Sequence, residues 1–311
     1  MDYRIRKKSL LERMKPYRML YLMLIPSLVL VGIFSYGPMY GMQIAFKDYN
    51  IGLGIWGSEW VGLKHFRSFI GNRNATTALR NTFIISFLNL GWGFPMPIVL
   101  AVLLNEISNK YFKRISQTIS YLPYFISWIV VSGFITNLLA PSTGVINSII
   151  MSLGGKPILF LTSSKYFRSI LVISNIWKNI GYGSIVYLAA LSGIDPTFYE
   201  AAIVDGASRI QRVIHITLPN LIPVAAIMLI LNLGGIMNAG FDQIFNLANA
   251  QVYDVADILD TYIYRVGLAE QMLYSFSSAV GFFKSVVGFV LVISVNLVVS
   301  KFNEGRTGML F

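Results

Sequence analysis

Residues 195–223 read DPTFYEAAIVDGASRIQRVIHITLPNLIP and form a polar, capped interruption between two apolar segments. Asp195 can cap a helix whose first residue is Pro196, the helical position where proline's missing N–H costs nothing. Thr197 with Glu200 offers a second, capping-box-like start. That helix is expected to run to about Val204, where Asp205 and Gly206 supply a stop. Arg209 to Ile216 is expected to form a second short helix, with Pro219 where the next apolar helix begins. The outcome is a helical hairpin over residues 195–219. The small pair Ala201 and Ala202, beside Phe198 at helical spacing, makes a low ridge able to enter a groove on another protein.

The flanking sequence reads as membrane. Over 311 residues, 55% are hydrophobic and only 13% charged, with a mean hydropathy of +0.62. This composition excludes an ordinary soluble domain and implies several spans. Six apolar runs are present: Met19 to Tyr36, Thr82 to Leu104, Ile119 to Ala140, Ser169 to Leu191, Leu221 to Met237 and Ser278 to Ser300. Each is near the ~20 residues an α-helix needs to cross the hydrocarbon core. Gly91, Gly93, Pro95 and Pro97 mark a kink or close-packing site in the second.

The net charge of +11 is compatible with nucleic acid, but the basic residues lie beside apolar runs, which suits membrane orientation better. Residues 1–18 form a basic arm, and no alanine precedes Ala45. This favours an uncleaved first helix over a signal peptide. In a six-span arrangement, fourteen Lys and Arg fall on the side of the termini and the 195–219 hairpin. Nine are spread over longer loops on the other side. The density bias places both termini and the hairpin in the cytoplasm. The chain thus divides into a cytoplasmic arm, 1–18, and a transmembrane domain, 19–311.

Glu200-Ala201-Ala202, then Gly206, then Ile216 with Leu218-Pro219, resembles the EAA loop of membrane-spanning permease subunits of binding-protein-dependent ABC importers, in the carbohydrate-uptake branch. LPYFISWIVVSGFITNLLAPSTGVIN, from Leu122 to Asn147, and PMYGMQIAFKDYN, from Pro38 to Asn50, look like the polysaccharide and complex-oligosaccharide permeases. The resemblance implies an all-α membrane protein with six transmembrane helices, a type I ABC importer permease. Its cytoplasmic hairpin would sit in a cleft of an ATPase subunit and convert closure of that subunit into alternating access. On this likeness Glu200 and Asp205 orient the short helices, Ala201 and Ala202 fit the groove, and Gly206 allows the turn. The implied partners are a second homologous permease, an ATPase dimer carrying ATP and magnesium, and an extracytoplasmic solute-binding protein. The implied cargo is an oligosaccharide, and the implied location is the bacterial plasma membrane. An ATP-independent secondary transporter or channel is the alternative; internal repeats or ion-coupling acids would mark one, and neither stands out.

The residues give no sign of an enzyme or of a cofactor held by this chain. Gly154-Gly155-Lys156-Pro157 lacks the spacing and the Ser or Thr of a phosphate-binding Walker loop. With no cysteine and two distant histidines, His65 and His215, neither thiol chemistry nor a metal site is indicated.

Polar residues inside the spans point to a substrate path, because burying such groups unpaired costs roughly 2 to 7 kcal/mol. Asn175, Lys178, Asn179 and Tyr182 fall at offsets of three, four and seven, on one face of the fourth span, which is expected to line a cavity. The resemblance supports Asn175 and Asn179 as sugar contacts and offers Asn232 and Asn238 on the next span as approximate matches. The plainer alternative is that these asparagines bond neighbouring helices and that Trp92, Tyr121, Trp128 and Tyr187 only pack. Lys178 has no evident acidic partner in the neighbouring spans, so it is expected to face a watery cavity and favour an anionic sugar. Lys284, nearer a span end, is expected to snorkel. Outside, residues 37–81 and the acidic 240–277 loop, with Asp242, Asp254, Asp257, Asp260 and Glu270, are expected to receive the binding protein.

Overall fold

The computed structural model describes residues 15–302. The basic arm over 1–18 therefore lies outside the described residues except for its last four positions, as does the chain end beyond Phe302.

Helices dominate, as the membrane requires when water cannot satisfy backbone polar groups. In chain order the elements that matter are α1 (Arg18–Val31), α2 (Arg73–Leu88), α3 (Pro95–Asn105), α4 (Lys110–Tyr121), α5 (Trp128–Leu138) and α6 (Ser164–Ser192). Then follow α7 (Pro196–Val204), α8 (Arg209–Arg212), α9 (Leu218–Gly234), α10 (Phe241–Leu247), α11 (Leu259–Tyr264) and α12 (Tyr274–Phe302). Strand structure among the described residues is one short antiparallel ladder, β1 (Lys47–Asp48) on β2 (Glu59–Trp60). This small hairpin qualifies the all-α expectation in the connection between α1 and α2, where Phe46 packs against Trp60, Phe66 and Phe282.

Four described helical stretches are long and apolar enough to cross a membrane: Arg18–Phe46, Arg73–Asn105, Arg209–Gly234 and Tyr274–Ser294. A fifth forms if Lys110–Phe125 and Trp128–Leu138 are counted together, although they bend by 101°. The third expected span is thus a broken one. The remaining expected span, α6, has 29 residues, about 43 Å of helix at 1.5 Å per residue, and falls short on apolarity rather than length. Its polar side chains are the reason.

Three of the long stretches stay continuous by the same device. π-helical turns at Gly32–Tyr36, Asn89–Gly93 and Val213–Thr217 each end two residues before a proline: Pro38, Pro95 and Pro219. A regular helix would drive each ring into the carbonyl four residues earlier, and a wider turn relieves that clash. Arg209–Ile216 is therefore not a separate helix, as expected from the sequence, but the start of one that runs through the π turn into α9. The glycine and proline cluster in the second span likewise produces a π turn within one helix.

α6 is the axis of the bundle, packed on α3 and against the ends of α4 and the break that follows it. Gly181 sets the closest approach: a Cβ there would lie 1.9 Å from the Ser120 carbonyl oxygen. Neither backbone can yield cheaply. Gly181→Ala is therefore expected to destabilise the bundle by at least the ~1–3 kcal/mol of core overpacking, read as a lower melting temperature of the purified protein. An unchanged melting temperature would show that the two backbones do not meet this closely.

Candidate functional site

A cavity of about 400 Å³ opens between α2, α3, α6 and α9. Six side-chain amides line it: Asn89, Asn175, Asn179, Asn232, Asn238 and Gln243. Phe94, Trp128 and Tyr187 add aromatic surface, and none of the lining residues carries a charge. Amides both donate and accept, so this wall suits a hydroxyl-rich ligand better than an apolar one.

Five of the six amides are placed by their own helix or turn, and Gln243 by a tertiary contact. Asn175 and Asn179 are one turn apart on α6, with Asn179 Nδ2 donating to Asn175 Oδ1 at 2.5 Å and to the Asn175 carbonyl at 3.0 Å. Asn232 lies near the end of α9, where it donates to the Met228 carbonyl at 2.7 Å. Asn238 follows the last turn of α9. Asn89 opens the π turn of the second span, and its Oδ1 is buried with no protein donor. Gln243, almost fully buried on α10, donates to the Leu171 carbonyl and to Ser174 Oγ at 2.7 and 2.8 Å. The structure thus places four of the six expected path residues on the wall: Asn175, Asn179, Asn232 and Asn238. Sequence reasoning misses Asn89, which sits alone in an apolar run, and Gln243, whose segment reads as a polar loop but folds back onto α6.

Lys178 and Tyr182 are not on the cavity wall. Lys178 is buried, and its ammonium donates to the carbonyls of Pro123, Tyr124 and Ile126 at 3.1, 2.7 and 2.5 Å. Tyr182 stacks on Tyr124 with ring centroids 3.8 Å apart. The expectation that Lys178 faces a watery cavity is therefore corrected: the missing acidic partner is replaced by backbone carbonyls at the break in the third span. Lys284 is corrected similarly. Instead of snorkelling, it pairs with Asp260 on α11 at 2.6 and 2.8 Å.

The hairpin between α6 and α9 is built by caps. The Asp195 carboxylate accepts from the Thr197 N–H at 2.9 Å, and the Thr197 backbone and side chain hold its pKa below the ordinary value. At the other end of α7, Gly206 takes a φ of +77°, which a residue without Cβ adopts freely. Ala207 N–H reaches the Ala202 carbonyl at 2.9 Å and Gly206 N–H the Ile203 carbonyl at 3.0 Å, the two bonds of a Schellman stop. Ser208 and Gln211 form a reciprocal capping box that restarts the helix at Arg209. Tyr199 Oη meets Thr217 Oγ1 at 3.1 Å and ties the two arms together. Glu200, Ala201, Asp205 and Gly206 are exposed and Ala202 is half-buried, while Phe198, Ile203, Val204 and Ile210 present apolar surface to solvent.

Residues 93–304 match the family of binding-protein-dependent transport system inner membrane components. The chain belongs to that family. Protein LplB of Bacillus subtilis (strain 168) is 45% identical to this permease, over 95% of it and 93% of LplB. The polygalacturonan/rhamnogalacturonan transport system permease protein YteP of the same strain is 43% identical, over 96% of this chain and 93% of its own. The crystal structure of a bacterial alginate ABC transporter, in complex with an alginate pentasaccharide-bound periplasmic protein, contains a chain that superposes with a TM-score of 0.88. That chain is 40% identical, and the match covers 97% of the permease and 100% of it. The permease therefore has the type I ABC importer fold and is a membrane component of an importer, in a family of transport components rather than enzymes.

The 240–277 loop is more self-contained than its charges suggest. Asp257, buried in that loop, forms an ion pair with Arg265. Burial opposes the Arg265 charge, but the Asp257 carboxylate together with Tyr253 outweighs it and the guanidinium pKa is raised. Asp254 accepts from Ser164 Oγ at 2.9 Å. With Asp260 held by Lys284, three of the five acidic residues of this loop serve the fold, and Asp242 and Glu270 remain exposed.

Proposed function

We propose that the permease carries an oligosaccharide from an extracytoplasmic binding protein into the cytoplasm by alternating access, driven by an ATPase dimer that docks on the 195–219 hairpin. The amide-lined cavity is the observation that carries this reading. It sits between membrane helices, presents donors and acceptors without charge, and leaves Asn89 Oδ1 with no donor from the protein. Uronate-containing chains are the favoured cargo class, because YteP belongs to a polygalacturonan/rhamnogalacturonan transport system and the alginate importer takes up an acidic polysaccharide, and amide N–H groups bind carboxylates as well as hydroxyls. Asn175, Asn179, Asn232 and Asn238 are then cargo contacts, joined by Asn89.

The exposed hairpin supports the energy source. Glu200 and Asp205 orient α7, Ala201 and Ala202 enter the ATPase groove, and Gly206 makes the turn; ATP and magnesium stay with the partner. A second, homologous permease completes the membrane pore, and both termini lie in the cytoplasm. The test is copurification of an ATP-hydrolysing subunit with the parent and with Glu200→Arg, followed by uptake of an oligogalacturonate into proteoliposomes. The parent is expected to hold the subunit and accumulate sugar only with ATP, and Glu200→Arg to lose both. ATP-independent uptake by the parent alone would replace this reading with a secondary carrier.

A further inference from the structure

The break in the third span raises a problem that Lys178 solves. α4 and its 3-10 continuation, Leu122–Phe125, end inside the apolar run, and α5 leaves at 101°. A helix end leaves carbonyls without intrahelical partners, and hydrocarbon offers no water to take them. The ammonium of Lys178 donates to two such carbonyls at the break, those of Tyr124 and Ile126, and to that of Pro123, which also accepts from the Ile126 N–H. No described carboxylate pairs with it. Its charge is met by the negative end of the α4 dipole and by the Tyr124 and Trp128 rings, each with its centroid 5.6 Å from Nζ.

Two further contacts from α6 grip the same point. Gly181 admits the Ser120 backbone, and Tyr182 stacks on Tyr124 with an angle of 4° between the rings. Trp128, the first residue of α5, lies just past the break and lines the cavity together with Asn175 and Asn179 of α6. The other end of α6 runs into the hairpin through Gly193 and Asp195.

We infer that Lys178 is a positioning residue that clamps both limbs of the broken third span to α6, so that a displacement of the hairpin reaches the cavity wall as one movement. The inference rests on the importer reading for its functional consequence. The clamp itself is a property of the chain alone.

The absence of cysteine allows the two limbs to be labelled directly. Spin labels at Thr118→Cys and Thr136→Cys, both exposed, report the distance across the break. The assembled importer carrying the same chains, without labels, reports oligogalacturonate uptake per ATP hydrolysed. Lys178→Met is expected to keep the copurifying ATPase but lose the single sharp limb distance. Uptake per ATP is expected to fall about tenfold, within the range of ordinary coupling free energies. Lys178→Arg, which restores several donors and the charge, is expected to recover both readings. Should Lys178→Met fail to insert, Lys178→Gln removes the charge while keeping two donors and is read the same way.

A sharp distance with parental uptake per ATP in the neutral variant would overturn the inference. So would a sharp distance with a raised KM confined to acidic cargo, which would make Lys178 a cargo ligand. If no ATPase associates even with the parent, the importer reading fails by itself; the limb distance still decides, an unchanged one overturning the clamp.

Discussion

Ala201→Arg is expected to leave the permease inserted and folded while reducing the ATP-hydrolysing subunit that copurifies with it by about thirtyfold or more, the equivalent of ~2 kcal/mol at an interface hot spot. The chain itself loses almost nothing. Ala201 is exposed on α7, both ends of that helix are fixed by contacts elsewhere, at Asp195 and at Gly206 with Ala207, and arginine is a good helix former. Surface substitutions of this kind usually change stability by less than about 0.5 kcal/mol. A groove shaped to a methyl group, however, must either reject a guanidinium or bury it unpaired. Quantifying the ATPase subunit per permease, alongside the melting temperature of the permease, separates the two costs. Parental copurification with parental uptake would remove the α7 ridge from the interface.

The hairpin was readable in advance because its signals are local. Asp195 before Pro196 and Gly206 after Val204 act within one turn, and the structure uses both. Asn175 and Asn179 were readable because a span has to explain buried amides. Lys178 was not, since its partners are backbone carbonyls at a helix break, and no search for an acidic side chain could find them. The break itself is hidden in composition: an apolar run from Ile119 to Ala140 has the same hydropathy whether straight or bent, and Pro123 alone does not set the angle. The continuity of Arg209 with α9 was obscured by Pro219, which reads as a helix start unless the π turn before it is known. Gln243 illustrates a different limit, because only the fold brings α10 back against Leu171 and Ser174.

The neutrality of the cavity gives the second large effect. Asn232→Asp keeps the side-chain shape but places a carboxylate on a wall where no lining residue carries a charge. Asn232 is exposed to the cavity, and its Nδ2 serves only the Met228 carbonyl of its own helix, so α9 should tolerate the change. A uronate brought within about 4 Å of the new carboxylate meets a repulsion of up to ~4 kcal/mol at an effective dielectric constant of about 20. A neutral oligosaccharide of the same length meets none and can still donate hydroxyls to the new group. With the binding protein held constant, oligogalacturonate uptake should therefore fall about a hundredfold or more, and neutral uptake should stay within a few-fold of the parent. The ratio of the two rates is the measurement. It separates a cavity that holds acidic cargo by amides alone from one where cargo never approaches α9, in which case both rates would stay at the parental level and Asn232 would leave the path.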